Sequence, residues 1–280
     1  MSEAGPGAGL RGDYSRIAPD YTVEQDWRAY TDADHEVWRA LYRRQSALVQ
    51  RYGCRDYVEG VERLQVADTV PDFARANEQL AAATGWRIVA VPGLVPDNVF
   101  FDHLAARRFP VTSWIRRPDE LDYLPEPDLF HDFFGHVPML LNPVFADYME
   151  AYGKGGQKAF RLGGLKMLAR LYWYTVEFGL IETQAGITAY GAGMLSSAGE
   201  LPYSVEDARP NRIRFALERI MTTDYMIDDF QKSYFVIRSF DELFDATRPD
   251  FAPLYERLAR RQVLTPDAVL STDKLVRRGL

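Results

Sequence analysis

The chain has a single cysteine, Cys54, so no disulfide can form within it. That excludes a disulfide-stapled scaffold, and a reducing cytoplasm is the expected setting. Long apolar runs are also missing: none approaches the ~20 residues that cross a bilayer, so no membrane span is expected. The N-terminus has no basic region followed by an apolar stretch and a small-residue cleavage site, and secretion is not expected. Clustered positive charge is absent too. The 33 Lys and Arg face 40 Asp and Glu, and the pairs Arg43-Arg44, Arg107-Arg108, Arg116-Arg117 and Arg260-Arg261 are scattered among acids. Phosphate binding needs clustered cations, so nucleic acid is not an expected partner. Histidine is scarce, with four in 280 residues, which makes the placement of each one informative.

Residues 1–20 contain five glycines or prolines between Gly5 and Gly12 and little apolar content, and read as a disordered tail. Residues 21–280 read as one domain without repeats or linkers. Thr31 can cap a helix whose apolar face is Val37, Trp38, Leu41, Leu48 and Val49, ending at Gly53. Val58–Leu64 and Phe73–Ala83 predict two further helices. Trp86–Val91 reads as a strand closed by Pro92-Gly93, and 111–116 as another. A long amphipathic helix is predicted over Leu162–Leu180 and a shorter one over Arg212–Met221, while Phe230–Phe240 alternates loosely and stays ambiguous. The expected class is mainly α with a few short strands.

Two histidines fall in Phe130-His131-Asp132-Phe133-Phe134-Gly135-His136. Five residues at ~100° each leave them about 140° apart on a regular helix, so this is not the i, i+4 pair of a helical zinc protease. Gly135 and Pro138 loosen or end a helix there, and then both can converge. Glu177 lies among Trp173, Tyr174, Thr175, Val176, Phe178 and Leu180, with no cation nearer in sequence than Arg170. A carboxylate buried there needs a partner or a proton. A metal would remove the difficulty, as would a sequence-distant arginine or a solvent channel. Two His and one carboxylate form the ligand set of non-heme Fe(II) oxygenases, and a pair of satisfied core histidines is the plain alternative. His35 and His103 lie in polar contexts and read as surface residues.

Three segments resemble the pterin-dependent aromatic amino acid hydroxylases: P-E-P-D-L-F-H-D-F-F-G-H-V-P (125–138), L-Y-W-Y-T-V-E-F-G-L (171–180) and A-Y-G-A-G-M-L-S-S (189–197). The similarity runs from about residue 28 to about 255 and is greatest to the short bacterial members that hydroxylate phenylalanine. It implies a single-domain helical basket around iron, with His131, His136 and Glu177 as Fe(II) ligands. Tetrahydrobiopterin or a related tetrahydropterin is implied along Gly93-Leu94-Val95, stacked on Phe100, with Asp132 and Tyr172 nearby. O2 is the co-substrate. The animal enzymes carry Glu at Asp132 and His at Pro110, departures shared with the bacterial group. For the amino acid the resemblance points to Arg116, with Asp128 holding it, and to Leu124, Pro125, Trp173 and Ser196.

The implied reaction is conversion of L-phenylalanine to L-tyrosine, the first step of phenylalanine catabolism, by a cytoplasmic monomer. Trp173 matches the phenylalanine and tyrosine enzymes and not the tryptophan ones. Ile227 stands where tyrosine hydroxylases carry Asp, which leaves a phenolic hydroxyl unpartnered at a cost of ~1–3 kcal/mol. Two alternatives stay open: a tryptophan hydroxylase of the same family, and a zinc hydrolase on the same three ligands with Asp132 or Glu182 as base.

Overall fold

A computed structural model describes residues 10–122 and 124–279. Helices α1 (Asp32–Tyr52), α2 (Arg55–Leu64) and α3 (Phe73–Thr84) lead into strand β1 (Arg87–Val91), helix α4 (Asp97–Ala105) and strand β2 (Arg108–Thr112). Next come a π-helical turn over Phe130–His136, helices α5 (Pro143–Leu162) and α6 (Leu165–Tyr172), and a second π-helical turn over Trp173–Glu177. The remainder is β3 (Gly179–Thr183), β4 (Gly186–Ala189), α7 (Ala192–Leu195), α8 (Glu200–Glu206), β5 (Asn211–Arg214), α9 (Leu217–Met221), β6 (Ser233–Ile237), α10 (Phe240–Thr247), α11 (Ala252–Leu258) and β7 (Leu275–Arg277). β1 and β2 form a parallel pair, and the other strands form a mixed sheet in the order β4-β3-β6-β5-β7.

The first three helices form where their caps and apolar faces put them. Thr31 and Asp34 make a reciprocal capping box at α1, and Asp72 caps α3, which ends at left-handed Gly85. Trp38 of α1 lies edge-on to Phe130 and Phe133 at 5.4 and 5.9 Å, and Phe134 meets Tyr42 and Tyr57. The phenylalanines of the first π turn are therefore its core face. Each buried aromatic of this kind contributes ~1.5–3 kcal/mol, and together they anchor the backbone that carries the histidines.

Several expectations need correction. The strand placed at 111–116 is β2, Arg108–Thr112, in register with β1 from Arg87↔Arg108 to Val91↔Thr112. Beyond it the Arg116 N–H donates to Asp128 instead of to a strand. The long helix over 162–180 is broken at left-handed Gly163 and ends in the second π turn. The chain then enters β3, because Gly179 pairs with Phe235 and has no room for a side chain beside Tyr190 and the Thr175 carbonyl. Arg212–Met221 is strand β5 followed by the short α9, since Arg212 and Ile213 are buried in the sheet. The ambiguous stretch 230–240 contains β6, whose five residues are all buried, so its sequence alternates only loosely. Within the stretch expected as a tail, residues 1–9 lie outside the described residues. Residues 10–20 are placed: Tyr14 donates to the Leu94 carbonyl at 2.8 Å and Arg11 pairs with Glu120 at 2.7 Å. His103 is fully buried, its Nε2 2.8 Å from the Asp20 carbonyl. His35 is half-buried and accepts from the Val70 N–H.

Candidate active site

In a π-helical turn the hydrogen bonds run from residue i to i+5 and each turn takes up more residues than an α turn. This is why a five-residue spacing that would separate side chains on an α-helix brings His131 and His136 together. The second turn does the same for Glu177: the Phe178 N–H donates to the Trp173 carbonyl at 2.8 Å, an i to i+5 bond. His131 Nε2 lies 3.7 Å from one Glu177 oxygen and His136 Nε2 3.2 Å from the other. The three donor atoms fall within 4.8 Å of one another. His136 is 5% exposed and His131 22%, so the group is sheltered on the His136 side and open on the His131 side.

The surrounding contacts set the protonation that a metal needs. The Ser196 hydroxyl donates to the Ala192 carbonyl at 2.8 Å. Its only hydrogen is thus used, and it accepts from His131 Nδ1–H at 2.9 Å. That bond leaves His131 Nε2 as a bare lone pair aimed at the group. Burial alone would raise the Glu177 carboxyl, but the charge and hydrogen bond of His136, with His131 and Tyr172, more than offset it and hold it below its ordinary value. Among the described residues its ion-pair partners are the two histidines, so the sequence-distant arginine left open above is not there. Asp132 accepts from the Thr112 N–H at 2.8 Å at the end of β2, and burial raises its pKa against the opposing charge of His131 and His136. Glu182 is engaged by Arg214 at 2.5 Å on the sheet. Neither is placed as a base at the three-donor group.

Beside the group, Asp128 fixes Arg116. Its oxygens take Arg116 Nε and Nη2 at 2.8 Å each and the Arg116 N–H at 2.9 Å. Asp128 also accepts from the His131 N–H at 3.0 Å. One fully buried carboxylate therefore sets the guanidinium and the start of the ligand turn together. Among the described residues Arg116 Nη1 makes a 3.4 Å contact to the Leu121 carbonyl and no ion pair, so this end of the fork can take another carboxylate. Arg116 is buried, against the surface position its neighbours Arg117 and Pro118 suggest.

On the opposite side, β1 runs into Pro92-Gly93-Leu94-Val95. Gly93 has φ +153°, and a Cβ there would sit 2.8 Å from a Glu126 oxygen and 2.9 Å from the Tyr14 hydroxyl. Half-buried Phe100 on α4 lies edge-on to Phe109 and Tyr172, at 6.4 and 5.8 Å. Phe109 in turn lies 4.8 Å from the His136 ring. Aromatic contacts thus connect Phe100 to His136.

The sequence profile described as Biopterin-dependent aromatic amino acid hydroxylase matches residues 10–262. The chain belongs to that family. It is 60% identical over 266 residues to the phenylalanine-4-hydroxylase of Chromobacterium violaceum, covering 95% of this chain and 90% of that protein. Its identity to the phenylalanine-4-hydroxylase of Ralstonia nicotianae is 59% over 268 residues, 95% of this chain and 86% of that one. The crystal structure of the Chromobacterium violaceum enzyme with iron and phenylalanine bound matches with a TM-score of 0.89 and 58% identity, over 96% of this chain and 97% of that chain. The cobalt-bound form gives 0.91 and 59%, over 96% of each chain.

In this hydroxylase the remaining expected residues divide. Trp173 stacks on Tyr225, 4.3 Å between centroids at 16°, with Phe178 5.0 Å on. Leu124 is half-buried and Pro125 exposed in the loop before Asp128. Ile227 is 74% exposed and faces solvent, so the specificity argument drawn from its apolar side chain does not hold here. Tyr225, two residues earlier, is the member of that segment that meets Trp173. No periodicity or motif marks it in the sequence, because it is placed by contacts far along the chain.

Proposed function

We infer that this hydroxylase converts L-phenylalanine to L-tyrosine with O2 and a tetrahydropterin, at a non-heme Fe(II) held by His131, His136 and Glu177. The observation that supports this best is the meeting of three metal-type donors in a chain 58% identical to one solved with iron and phenylalanine bound. The donor set fits the ion: two imidazoles, one with a fixed tautomer, and one anionic carboxylate leave further positions open to other ligands. Bound there, iron and the reduced pterin supply the activation of O2.

The protein's own share is positioning. Ser196 keeps His131 Nε2 free of its proton, and Asp128 holds Arg116 so that its Nη1 end receives the substrate α-carboxylate. Trp173, backed by Tyr225, forms a wall for the aromatic ring, and Leu124 and Pro125 border the carboxylate end. Phe100 offers an apolar face to a flat pterin, with Gly93, Leu94 and Val95 giving backbone donors and acceptors and Asp132 and Tyr172 lining the same side. Burial holds the Tyr172 phenol well above its ordinary pKa, so it keeps its proton. No described helix is long and apolar enough to cross a membrane, and we propose that the enzyme works as a cytoplasmic monomer without a nucleic-acid or membrane partner.

Oxygen uptake measured with Fe(II), tetrahydropterin and each aromatic amino acid in turn tests the assignment. Pterin-dependent tyrosine formation from phenylalanine is expected. Zinc retained on purification together with esterase or peptidase activity would return the hydrolase reading. Trp173→Phe is expected to shift relative kcat/KM from phenylalanine toward tryptophan by about tenfold, since a smaller ring deepens the pocket. Equal loss on all three amino acids would make Trp173 a residue of the fold only. Gly93→Ala is expected to cost ~1–3 kcal/mol in backbone strain and to raise the KM for pterin while leaving that for phenylalanine nearly unchanged. Thermal unfolding and separate titrations of the two substrates check it.

A further inference from the structure

Tyr225, on which Trp173 stacks, lies outside any helix or strand. Tyr225 belongs to the irregular segment between α9 and β6, whose tip, Ile227 to Asp229, is exposed. Its N-terminal side is tied to Leu264, whose carbonyl accepts from the Asp224 N–H at 2.9 Å, and Arg170 pairs with Asp224 at 3.5 Å; two further contacts lie next to Tyr225 itself. Tyr174, next to Trp173, donates to the Asp224 carbonyl at 2.6 Å. Buried Gln231 makes a two-way bond with a single residue: its Oε1 accepts from Met226 N–H at 3.1 Å and its Nε2 donates to the Met226 carbonyl at 2.8 Å. Fixing the Met226 N–H fixes the peptide plane that follows Tyr225, one rotation away from the carbon that carries the ring.

Gln231 is itself tied down. Its own N–H donates to Glu200 Oε1 at 2.9 Å, and Tyr234 of β6 donates to the same oxygen at 2.7 Å. Glu200, at the start of α8, is buried with no ion pair among the described residues. A buried carboxyl without a cation is costly unless its hydrogen bonds are well made. Here both described bonds, to one oxygen, lead to the strand and the clamp. The triad ligands and Arg116 do not require this group, and the core around it is already closed by Tyr234 and Leu201, both buried.

We infer that Glu200 and Gln231 are positioning residues for the substrate ring. They act in series, Glu200 fixing the Gln231 backbone, the Gln231 amide fixing Met226, and Met226 setting Tyr225 against Trp173. This rests on the phenylalanine reading above and extends it to residues that touch neither iron nor substrate. One side-chain amide closes the six-residue loop Met226–Gln231, so loss of that amide loosens the Tyr225 end without unfolding the sheet beneath. Burial raises the Glu200 carboxyl to about 7, which is in keeping with an acid that is held for its geometry and lacks a cation.

The test compares Gln231→Met, which keeps the volume and removes both bonds, with Glu200→Ala and Glu200→Gln. Gln231→Met and Glu200→Ala are expected to raise the KM for phenylalanine about tenfold, equivalent to ~1.4 kcal/mol, with kcat changed much less. Tyrosine formed per pterin oxidised should fall in both, with iron content unchanged. Glu200→Gln retains Oε1 as an acceptor and should recover most of the loss. A readout without substrate is the near-ultraviolet circular dichroism of the Trp173–Tyr225 pair, taken as the difference between each protein and its Trp173→Phe counterpart. That component should shrink in Gln231→Met. An unchanged KM, coupling ratio and dichroic component, whatever happens to Tm, would overturn the inference. A lost dichroic component in an enzyme inactive on phenylalanine would support the clamp and overturn only the choice of substrate.

Discussion

Glu177→Ala is expected to remove stoichiometric iron and to lower hydroxylation by roughly three orders of magnitude or more. Changes outside the ligand shell already cost ~10–100-fold, and this variant removes the only anionic ligand of three. The fold should persist. In the metal-free protein Glu177 is a partly buried anion whose described ion-pair partners are His131 and His136, so its loss relieves a desolvation cost as well as removing contacts. The clearer signature is in linkage. Iron at 100 times its Kd stabilises the parent protein by ~2.7 kcal/mol, and the variant should show no such gain. Iron per chain by elemental analysis and Tm with and without Fe(II) decide the matter. Full occupancy and turnover in Glu177→Ala would make the triad assignment wrong.

Arg116→Lys is expected to raise the KM for phenylalanine by about 10–100-fold, because a charge-assisted bond is worth ~1.5–3 kcal/mol. The guanidinium serves Asp128 along its Nε and Nη2 edge, at 2.8 Å to each oxygen, and leaves Nη1 for the incoming carboxylate. A lysine is a point charge that cannot face both anions. Pulled onto Asp128, it gives up the substrate. Pterin KM should change little, and the two titrations done separately distinguish a lost substrate contact from a general loosening. Unchanged phenylalanine kinetics would remove Arg116 from the substrate site.

The three donor residues could be picked out from the sequence, but the backbone that unites them could not. His131, His136 and Glu177 stand out because histidine is rare and the glutamate lies in an aromatic run. The i, i+5 spacing even speaks against a shared face, because α-helical geometry is the default and no residue preference marks a π turn. Gly135 and Pro138 are the local hints. The apolar stripe of 165–176 is real, but its conversion to β3 depends on Gly179 meeting Tyr190, a tertiary contact. Arg212 was misplaced for a similar reason: inside a sheet its donors go to the carbonyls of Tyr203, Ser204, Asp207 and Pro210, whereas along the chain it looks like the polar face of a helix. Asp128 could be proposed as the Arg116 partner from proximity in sequence. Glu200, Gln231 and Tyr225 gave no such sign.

The two π turns make the metal pocket a matter of chain length as well as residue identity. Such a turn is an α-helix that has absorbed one additional residue. Every side chain on its far side is thereby rotated by ~100° relative to an uninterrupted helix. The histidines and the glutamate meet because both insertions are present, one before Val137 and one before Phe178. Sequence comparison that scores only substitutions would miss the essential event here. A relative with all three ligand residues intact but one residue fewer in either turn would keep the ligand letters and lose the pocket.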